Sequence, residues 1–245
     1  MLKLIQTEFL KLRRRKLIWV MMLASLVMPF FAFLYFHYFR KAGVEPVQFY
    51  KWSAFGYTVL MILPFVLGML CTILMHDENQ NDMLKQLWIV PISKMGYFFS
   101  KFFIVLLYSV CFMLITAIAS ALFSVLPGYV KFEWESVLFL LKKCLEIGVL
   151  TAFAMLPILA VAASQKGYIL PVSITLIYSF LGIFIISINM YLHPLSSLSV
   201  IIARNGDIPG LAFTQAINVP MALFCICVWD IAAVLLANIT LGRRK

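Results

Sequence analysis

The chain has 245 residues, of which 64% are hydrophobic and only 12% are charged, and its mean hydropathy is +1.00. A soluble domain carries roughly 45–50% apolar and about 25% charged residues, so this composition excludes an ordinary soluble fold. Apolar runs of about 20 residues, the length that crosses a hydrocarbon core, recur along the chain. We therefore expect an all-α protein that crosses a membrane several times.

The net charge of +10 does not indicate nucleic-acid binding, because the Lys and Arg residues lie mostly at the ends of apolar runs. Membrane topology and anionic lipid explain that placement better. The chain has five cysteines, Cys71, Cys111, Cys144, Cys225 and Cys227. Four of them lie in apolar runs and no two form a CxxC pair. We expect them to pack in the interior rather than to form disulfides or bind a metal.

The first 16 residues have the pattern of an amphipathic helix. Apolar residues recur at helical spacing and basic residues occupy the other side: Leu2, Ile5, Phe9 and Leu12 against Lys3, Lys11 and Arg13. Such a helix suits the plane of the membrane interface. The basic cluster at 13–16 then predicts a cytoplasmic location for this end.

Six apolar runs predict membrane spans, at about residues 17–39, 53–75, 102–126, 147–163, 168–191 and 219–241. Pro29, Pro64 and Pro157 lie inside spans 1, 2 and 4, where they should bend the helix and free carbonyl groups that need partners in the bundle. Six spans place both termini on one side. Thirteen Lys and Arg residues fall on that side and seven on the other, which predicts that both termini are cytoplasmic.

Two outer segments are too mixed to be simple loops. Residues 129–146 predict an interfacial helix on the outer side, with Lys142 and Glu146 at i,i+4 spacing. Residues 192–218 contain two short apolar pieces around a turn at 205–207, which predicts a helical hairpin that dips into the outer leaflet.

The polar stretch 76–101 lies between spans 2 and 3 on the predicted inner side. Asp77 and Glu78 suit the start of a helix, and Met83, Leu84, Leu87 and Trp88 give it an apolar side before Pro91 ends it. A short helix tied to two spans can be pushed by a soluble partner. A solvated connecting loop is the alternative interpretation of the same residues.

Asp230 lies near the middle of span 6, where a charge costs about 2.5–3.5 kcal/mol on insertion scales. It should therefore face the bundle interior or water, or be protonated. Two interpretations stay open. It is either a functional group, on a cation-attracting substrate path or in a bistable contact between spans, or a hydrogen-bonded packing residue near Asn189 or Asn238.

Signatures of an enzyme are weak. The chain has no GxxxxGK[ST] phosphate loop, so it is not expected to be its own ATPase, and no Ser-His-Asp set can be assembled. The three histidines, His37, His76 and His193, lie near span ends and are expected to be interfacial residues.

The polar stretch resembles the cytoplasmic loop of ABC type-2 transporter permeases. That family has an acidic residue, a small polar pair such as Gly-Thr, two leucines and a P-[IV]-S-[RK] sequence before the next span. The corresponding residues here are Glu78, Leu84, Leu87 and Pro91-Ile92-Ser93-Lys94, followed by Lys101. Asn81-Asp82 departs from the expected pair. The family's N-terminal E-x-x-K-x-x-R pattern is matched by Glu8, Lys11 and Arg14.

The resemblance implies a separate ATP-binding-cassette subunit that binds ATP and magnesium, so this chain would be a transport subunit that binds no cofactor itself. The ATPase would dock on Asp77, Glu78, Asp82, Leu84, Leu87, Pro91, Ser93 and Lys94. A second permease subunit, identical or paralogous, would complete the complex in the lipid of a bacterial plasma membrane. The short length and lack of a large outer domain are most similar to bacitracin-resistance and lantibiotic-immunity exporters, which implies export of amphipathic peptide antibiotics or lipid-like molecules.

Two other functions remain open. The chain is alternatively a stand-alone membrane immunity or sensor protein that binds a peptide without pumping it. An intramembrane enzyme would need a second buried catalytic group opposite Asp230.

Overall fold

The computed structural model describes residues 2–13, 15–39, 45–80, 93–165, 167–211 and 216–243, with side chains for all of these except 2–4, 77–80 and 243. The described residues form helices and connecting turns, without strands. This confirms the predicted all-α class.

The helices follow the apolar runs of the sequence. The α-helices cover Leu2–Arg13, Lys16–Leu23, Val27–Phe39, Pro46–Tyr50, Leu63–Gln80, Lys94–Val125, Trp134–Ala154, Leu156–Ser164, Ile169–Ile186, Pro194–Ala203 and Val219–Arg243. A 3-10 turn at Ala24–Leu26 joins the second and third of these, and π-helical turns cover Lys51–Phe55 and Thr58–Ile62.

Within the described ranges, six helical segments are long and apolar enough to cross a membrane. These spans are Lys16–Phe39, Pro46–His76, Lys94–Val125, Trp134–Ser164, Ile169–Ile186 and Val219–Gly242, numbered 1 to 6 below. Spans 2 and 4 form the centre of the bundle, since 72% and 67% of the residues in their most apolar stretches are buried. In span 6 the corresponding share is only 22%. The exposed apolar side chains of the spans at the periphery of the bundle suit contact with lipid.

The prolines interrupt the spans as the sequence predicts. In span 1, Pro29 cannot donate to the carbonyl of Ser25, and Thr116 Oγ1 of span 3 donates to that oxygen instead at 3.2 Å. In span 4 the α-helix breaks at Met155, two residues before Pro157, and the Tyr178 hydroxyl donates to the Ala154 carbonyl at 2.6 Å. The neighbouring helices thus satisfy the backbone groups that the breaks release.

Span 2 responds to its proline differently. Pro64 has no N–H to donate to the carbonyl of Leu60, and the turn at Thr58–Ile62 adopts the wider π-helical pattern. A second π-helical turn at Lys51–Phe55 precedes it, and Gly56 lies between the two. The half of span 2 that precedes Leu63 therefore contains little regular α-helix.

The outer segments differ from the pattern that the sequence suggests. One continuous helix begins at Trp134 and runs to Ala154, so residues 134–146 belong to span 4 rather than to a separate interfacial helix. No Pro or Gly interrupts it before Gly148. Glu146 pairs with Lys143 at 3.4 Å and with Arg204 at 2.6 Å, whereas Lys142 is exposed. Lys143 rather than Lys142 therefore faces the interior and pairs with Glu146.

Residues 192–218 contain one described helix instead of a hairpin. The helix Pro194–Ala203 is buried along its whole length. A turn follows, and the second apolar piece is not helical where it is described, at Ile208–Leu211. Gly206 and Gly210 have φ of 70° and 81°, left-handed values that favour glycine and that shape this turn.

Candidate functional site

The predicted docking segment begins at the C-terminal end of span 2 and ends at the start of span 3. Asp77 and Glu78 lie in the last turn of the helix Leu63–Gln80, so they continue span 2 and the prediction that they start a helix is wrong. Only the backbone of residues 77–80 is described. Asp82, Leu84, Leu87 and Pro91 lie outside the described residues, as does Arg14 of the N-terminal motif. The described part of the site therefore consists of the residues that frame the docking segment.

Ser93 fixes the start of span 3. Its backbone is extended, and its hydroxyl oxygen accepts a hydrogen bond from the Gly96 N–H at 3.1 Å. This is an N-cap, in which a serine oxygen satisfies one of the free N–H groups of the first helical turn. The predicted proline-serine-basic sequence thus ends in a defined helix start.

Three side chains on one face of span 3 form an inner clamp: Lys94, Tyr97 and Lys101. Their spacing of three and four residues places them one above the other on the helix. Lys94 contacts the end of span 6, where its Nζ donates to the carbonyls of Leu241 at 2.8 Å and Gly242 at 3.3 Å. A cation at a helix C-terminus is favourable because the last carbonyls lack intrahelical donors.

Lys101 joins span 3 to the N-terminal helix Leu2–Arg13. Its Nζ donates to Glu8 Oε2, and only 1% of Lys101 and 4% of Glu8 is exposed. The other carboxylate oxygen, Oε1, accepts from Lys11 Nζ at 3.0 Å. The Lys101 ammonium also lies 5.2 Å from the centre of the Tyr97 ring. A buried charge of either sign needs such a partner, so this pair fixes the N-terminal helix against span 3.

Tyr97 and His76 extend the contacts to spans 2 and 5. The Tyr97 hydroxyl lies 3.7 Å from the Met75 sulfur, at the C-terminal end of span 2. His76, which follows Met75, packs edge-on against the ring of Tyr168, beside the start of span 5. The centres of the two rings are 5.7 Å apart. The two ends of the docking segment therefore contact each other through Tyr97 and Met75, and they also contact three further elements, the N-terminal helix, span 5 and span 6.

The pairing of Glu8 with Lys101 was not predictable from spacing. Both residues stand out in the sequence, Glu8 in the N-terminal motif and Lys101 as a basic residue after the polar stretch. Their separation of 93 positions carries no periodic signal that would join them. The one clue is that Glu8 and Lys101 each interrupt an otherwise apolar helical face.

An apolar groove of about 510 Å³ opens between spans 1, 2 and 5. Its lining is Met21, Ala24, Val27, Met61, Ile62, Phe65, Val66, Met69, Leu176, Ser179, Phe180 and Ile183. Ser179 is the one polar side chain in this lining, and its buried hydroxyl has no hydrogen-bond partner among the described residues. Sites for small ligands have this size and this mostly apolar character.

Asp230 lies on span 6 beside a polar and aromatic cluster. Its Oδ1 is buried without a hydrogen-bond partner in the described part of the chain, so this oxygen bonds to neither Asn189 nor Asn238. The carboxylate lies within electrostatic range of Tyr178. The preceding residue, Trp229, donates from Nε1 to the Leu192 carbonyl at 3.1 Å.

His193 belongs to the same cluster and is not the interfacial residue that its position in the sequence suggests. It is 4% exposed and its ring centre lies 4.2 Å from that of Tyr178. Its Nδ1 accepts from the Leu195 N–H at 3.2 Å and caps the helix Pro194–Ala203. Burial lowers the pKa of His193 to about 4, so the imidazole is neutral at pH 7 with its proton on Nε2.

Comparison with known proteins agrees with this architecture. Residues 4–182, well over half of the chain, match the family described as ABC-2 family transporter protein. The comparison with curated proteins gives no match. Among the described residues, no three His, Cys, Asp or Glu side chains are placed to hold a metal ion. The six apolar spans and the family match together show that the chain belongs to the ABC-2 transporter family, as a multi-pass membrane subunit of transport rather than a catalytic one.

Proposed function

We propose that this chain is the permease of an exporter driven by a separate ATP-binding-cassette subunit that docks on residues 77–94. The observation that carries the proposal is the inner clamp. The docking segment lies directly between spans 2 and 3, and Lys94, Tyr97 and Lys101 connect its end to span 6, span 2 and the N-terminal helix. A push on this segment is therefore transmitted to several spans at once.

The docking face of the proposal consists of Asp77, Glu78, Asp82, Leu84, Leu87, Pro91, Ser93 and Lys94. Closure of the ATPase subunits on ATP moves this face, and the N-terminal helix moves with it through the pair of Glu8 and Lys101. Lys11 and Arg14 place that helix in the headgroup region of the inner leaflet. Both termini are then cytoplasmic, in a bacterial plasma membrane, and a second permease subunit completes the transport path.

The substrates of the proposal are amphipathic peptide antibiotics or lipid-like molecules, exported for self-immunity or resistance as by bacitracin-resistance and lantibiotic-immunity exporters. The apolar groove supports this class because it offers an apolar surface with a single hydroxyl at Ser179. Three methionines in its lining, Met21, Met61 and Met69, give it a deformable surface. The 3-10 turn at Ala24 and the π-helical turn at Met61 let two of its walls adjust.

Gentle purification followed by mass spectrometry of the subunits tests the proposal. We expect an ATP-binding-cassette ATPase to copurify with the chain. Replacing the two leucines, Leu84→Asp with Leu87→Asp, should release the ATPase and leave membrane insertion intact. Gln86→Ala between them is the matched control and should retain it.

Transport in reconstituted vesicles separates the alternatives. ATP-dependent export that is lost in the leucine variant supports the proposal. Full transport by the purified chain without any ATPase contradicts it, and peptide binding without ATP-dependent transport identifies a stand-alone sensor instead.

Asp230 extends the proposal to the substrate path. A carboxylate beside the membrane interior attracts the cationic groups that many amphipathic peptides carry. Asp230→Asn should lower the transport of cationic substrates more than that of uncharged ones, while ATPase copurification stays the same. Asn238→Ala, at an exposed position on the same span, is the control. Equal losses for cationic and uncharged substrates would leave Asp230 with a packing role only.

A further inference from the structure

Five charged side chains form a network at the outer end of the bundle, at the opposite end of span 2 from the docking segment. They are Lys51, Lys143, Glu146, Arg204 and Asp207. Asp207 Oδ2 lies 3.0 Å from Lys143 Nζ, and Asp207 Oδ1 lies 3.4 Å from Lys51 Nζ. Glu146 lies 3.4 Å from Lys143 and 2.6 Å from Arg204. The five charges thus form one connected chain of ion pairs.

The network joins three elements that are distant in the sequence. Lys51 begins the outer π-helical turn of span 2, Lys143 lies on span 4, and Asp207 lies in the turn after the helix Pro194–Ala203. Lys51 Nζ also donates to the Gly206 carbonyl at 2.9 Å. These contacts hold the turn over the outer ends of spans 2 and 4.

Burial makes Asp207 and Lys143 the centre of the network. Only 2% of Asp207 and 5% of Lys143 is exposed, whereas the Arg204 side chain is 33% exposed at the rim. Three cations share two carboxylates, so Asp207 is the anion that keeps Lys51 and Lys143 from repelling each other. Loss of Asp207 would leave the buried Lys143 cation beside the half-buried Lys51, the costliest change that the network allows.

We propose that this network is an outer latch, which holds the transport path closed on the outer side and breaks when the protein opens outward. An interface of ion pairs suits this role because each charge regains favourable hydration when the pair separates. Exposing apolar surfaces to water is unfavourable instead. The flanking backbone suits it too. Lys51 lies on a π-helical turn, and Gly206 and Gly210 shape the turn that carries Asp207. The latch rests on the orientation given in the proposed function, with this end outside.

Thiol labelling of the complex in vesicles tests the latch. In a background with the five native cysteines replaced by alanine, Ile208→Cys places a reporter beside Asp207 at a position that is 2% exposed. A membrane-impermeant maleimide, added outside, should label it slowly at rest and faster during ATP turnover. Lys143→Met should raise the resting rate about tenfold or more, because it removes one partner of a buried ion pair. Lys142→Met is the matched control, an exposed neighbour with the same charge change, and should leave the rate unchanged.

Further variants separate the latch from misfolding. Arg204→Gln, at the rim, should raise the rate in the same direction but less than Lys143→Met. The triple variant Lys51→Met, Lys143→Met and Asp207→Leu has no unpaired buried charge at the centre and should stay closed, with slow labelling even during ATP turnover. Equal resting rates for Lys143→Met and Lys142→Met would overturn the latch. Labelling only from the inner side would overturn the orientation, and with it the outer role of these residues.

Discussion

The inner clamp and the outer latch both use charged side chains at the ends of apolar spans, but they connect the chain in different ways. In the clamp, three residues of one helix each contact a different element, so span 3 is the common part of every contact. In the latch, charges on separate elements share their partners, and no single helix carries the set. In our proposal the first arrangement transmits a movement, and the second comes apart.

The length of span 3 explains how the two ends communicate. Its helix has 32 residues, which corresponds to about 48 Å at the usual rise per residue. Along the way Ser109 donates to the Gly148 carbonyl of span 4 at 2.7 Å, and Thr116 donates to the Ser25 carbonyl of span 1. A movement at the clamp therefore reaches spans 1 and 4 through direct contacts, and span 4 carries Lys143 of the latch.

The largest effect on stability is expected from breaking the buried pair of the clamp. Lys101→Met leaves the Glu8 carboxylate without its buried partner and should lower the free energy of unfolding by about 3–5 kcal/mol. Thermal unfolding in detergent measures the loss. Lys11→Met is the control, because the Lys11 side chain is 46% exposed and its pair with Glu8 is expected to contribute about 0–1 kcal/mol. The double variant with Glu8→Gln should recover much of the loss, and failure to recover would show that the two residues act separately.

The next largest effect is expected where Gly148 of span 4 packs against the middle of span 3. A Cβ at Gly148 would lie 3.1 Å from the Val110 Cα and 3.3 Å from the Ser109 carbonyl oxygen. Gly148→Ala should therefore push spans 3 and 4 apart and lower stability by about 1–3 kcal/mol. Gly167→Ala, which meets no atom within 4 Å, is the matched control for thermal unfolding. Equal melting temperatures would show that span 3 is not held rigidly to span 4.

A smaller effect is expected where span 3 supports the break in span 1. Thr116→Val removes the donor to the Ser25 carbonyl and should lower stability by about 0.6 kcal/mol, the average measured for such bonds between membrane helices, with about 1.7 kcal/mol as the largest value. Hydrogen exchange at residues 24–29 should rise at the same time. Thr240→Val should change neither quantity, because the Thr240 hydroxyl donates to the Leu236 and Ala237 carbonyls of its own helix.

The smallest effect is expected at the end of span 6. Lys94→Met removes a cation from the helix C-terminus and should lower stability by about 0.3–1 kcal/mol. Hydrogen exchange should rise at residues 238–242 and remain unchanged in span 4. Lys131→Met, at an exposed position outside the clamp, serves as the control. A rise spread over the whole bundle would mean that Lys94 supports more than the end of span 6.

The sequence predicts the spans well because each is determined by its own composition. An apolar run of about 20 residues has one stable arrangement in a membrane, whatever the rest of the chain does. The consequences of Pro29 and Pro157 are also local in origin, since a proline always frees a carbonyl. That Thr116 and Tyr178 supply the missing donors depends on packing, which the sequence pattern does not contain.

The charged contacts are the part that the sequence does not predict. Lys142 and Lys143 are neighbours of the same type, and only the rotation of span 4 in the bundle makes Lys143 the interior residue. His193 similarly looks like an interfacial residue until the helix Pro194–Ala203 is seen to be buried. The family match ends at residue 182, so Asp230 and Asp207 lie beyond it and their roles rest on contacts within this chain alone.

The most direct test of the account measures transport per ATP hydrolysed in the reconstituted complex. The double variant Glu8→Gln with Lys101→Met keeps a folded chain without a buried unpaired charge, so it separates coupling from stability. We predict that ATP hydrolysis continues while transport per ATP falls about fivefold or more relative to Lys11→Met. Equal transport per ATP in the two variants would contradict the claim that the inner clamp carries the movement of the docking segment into the spans.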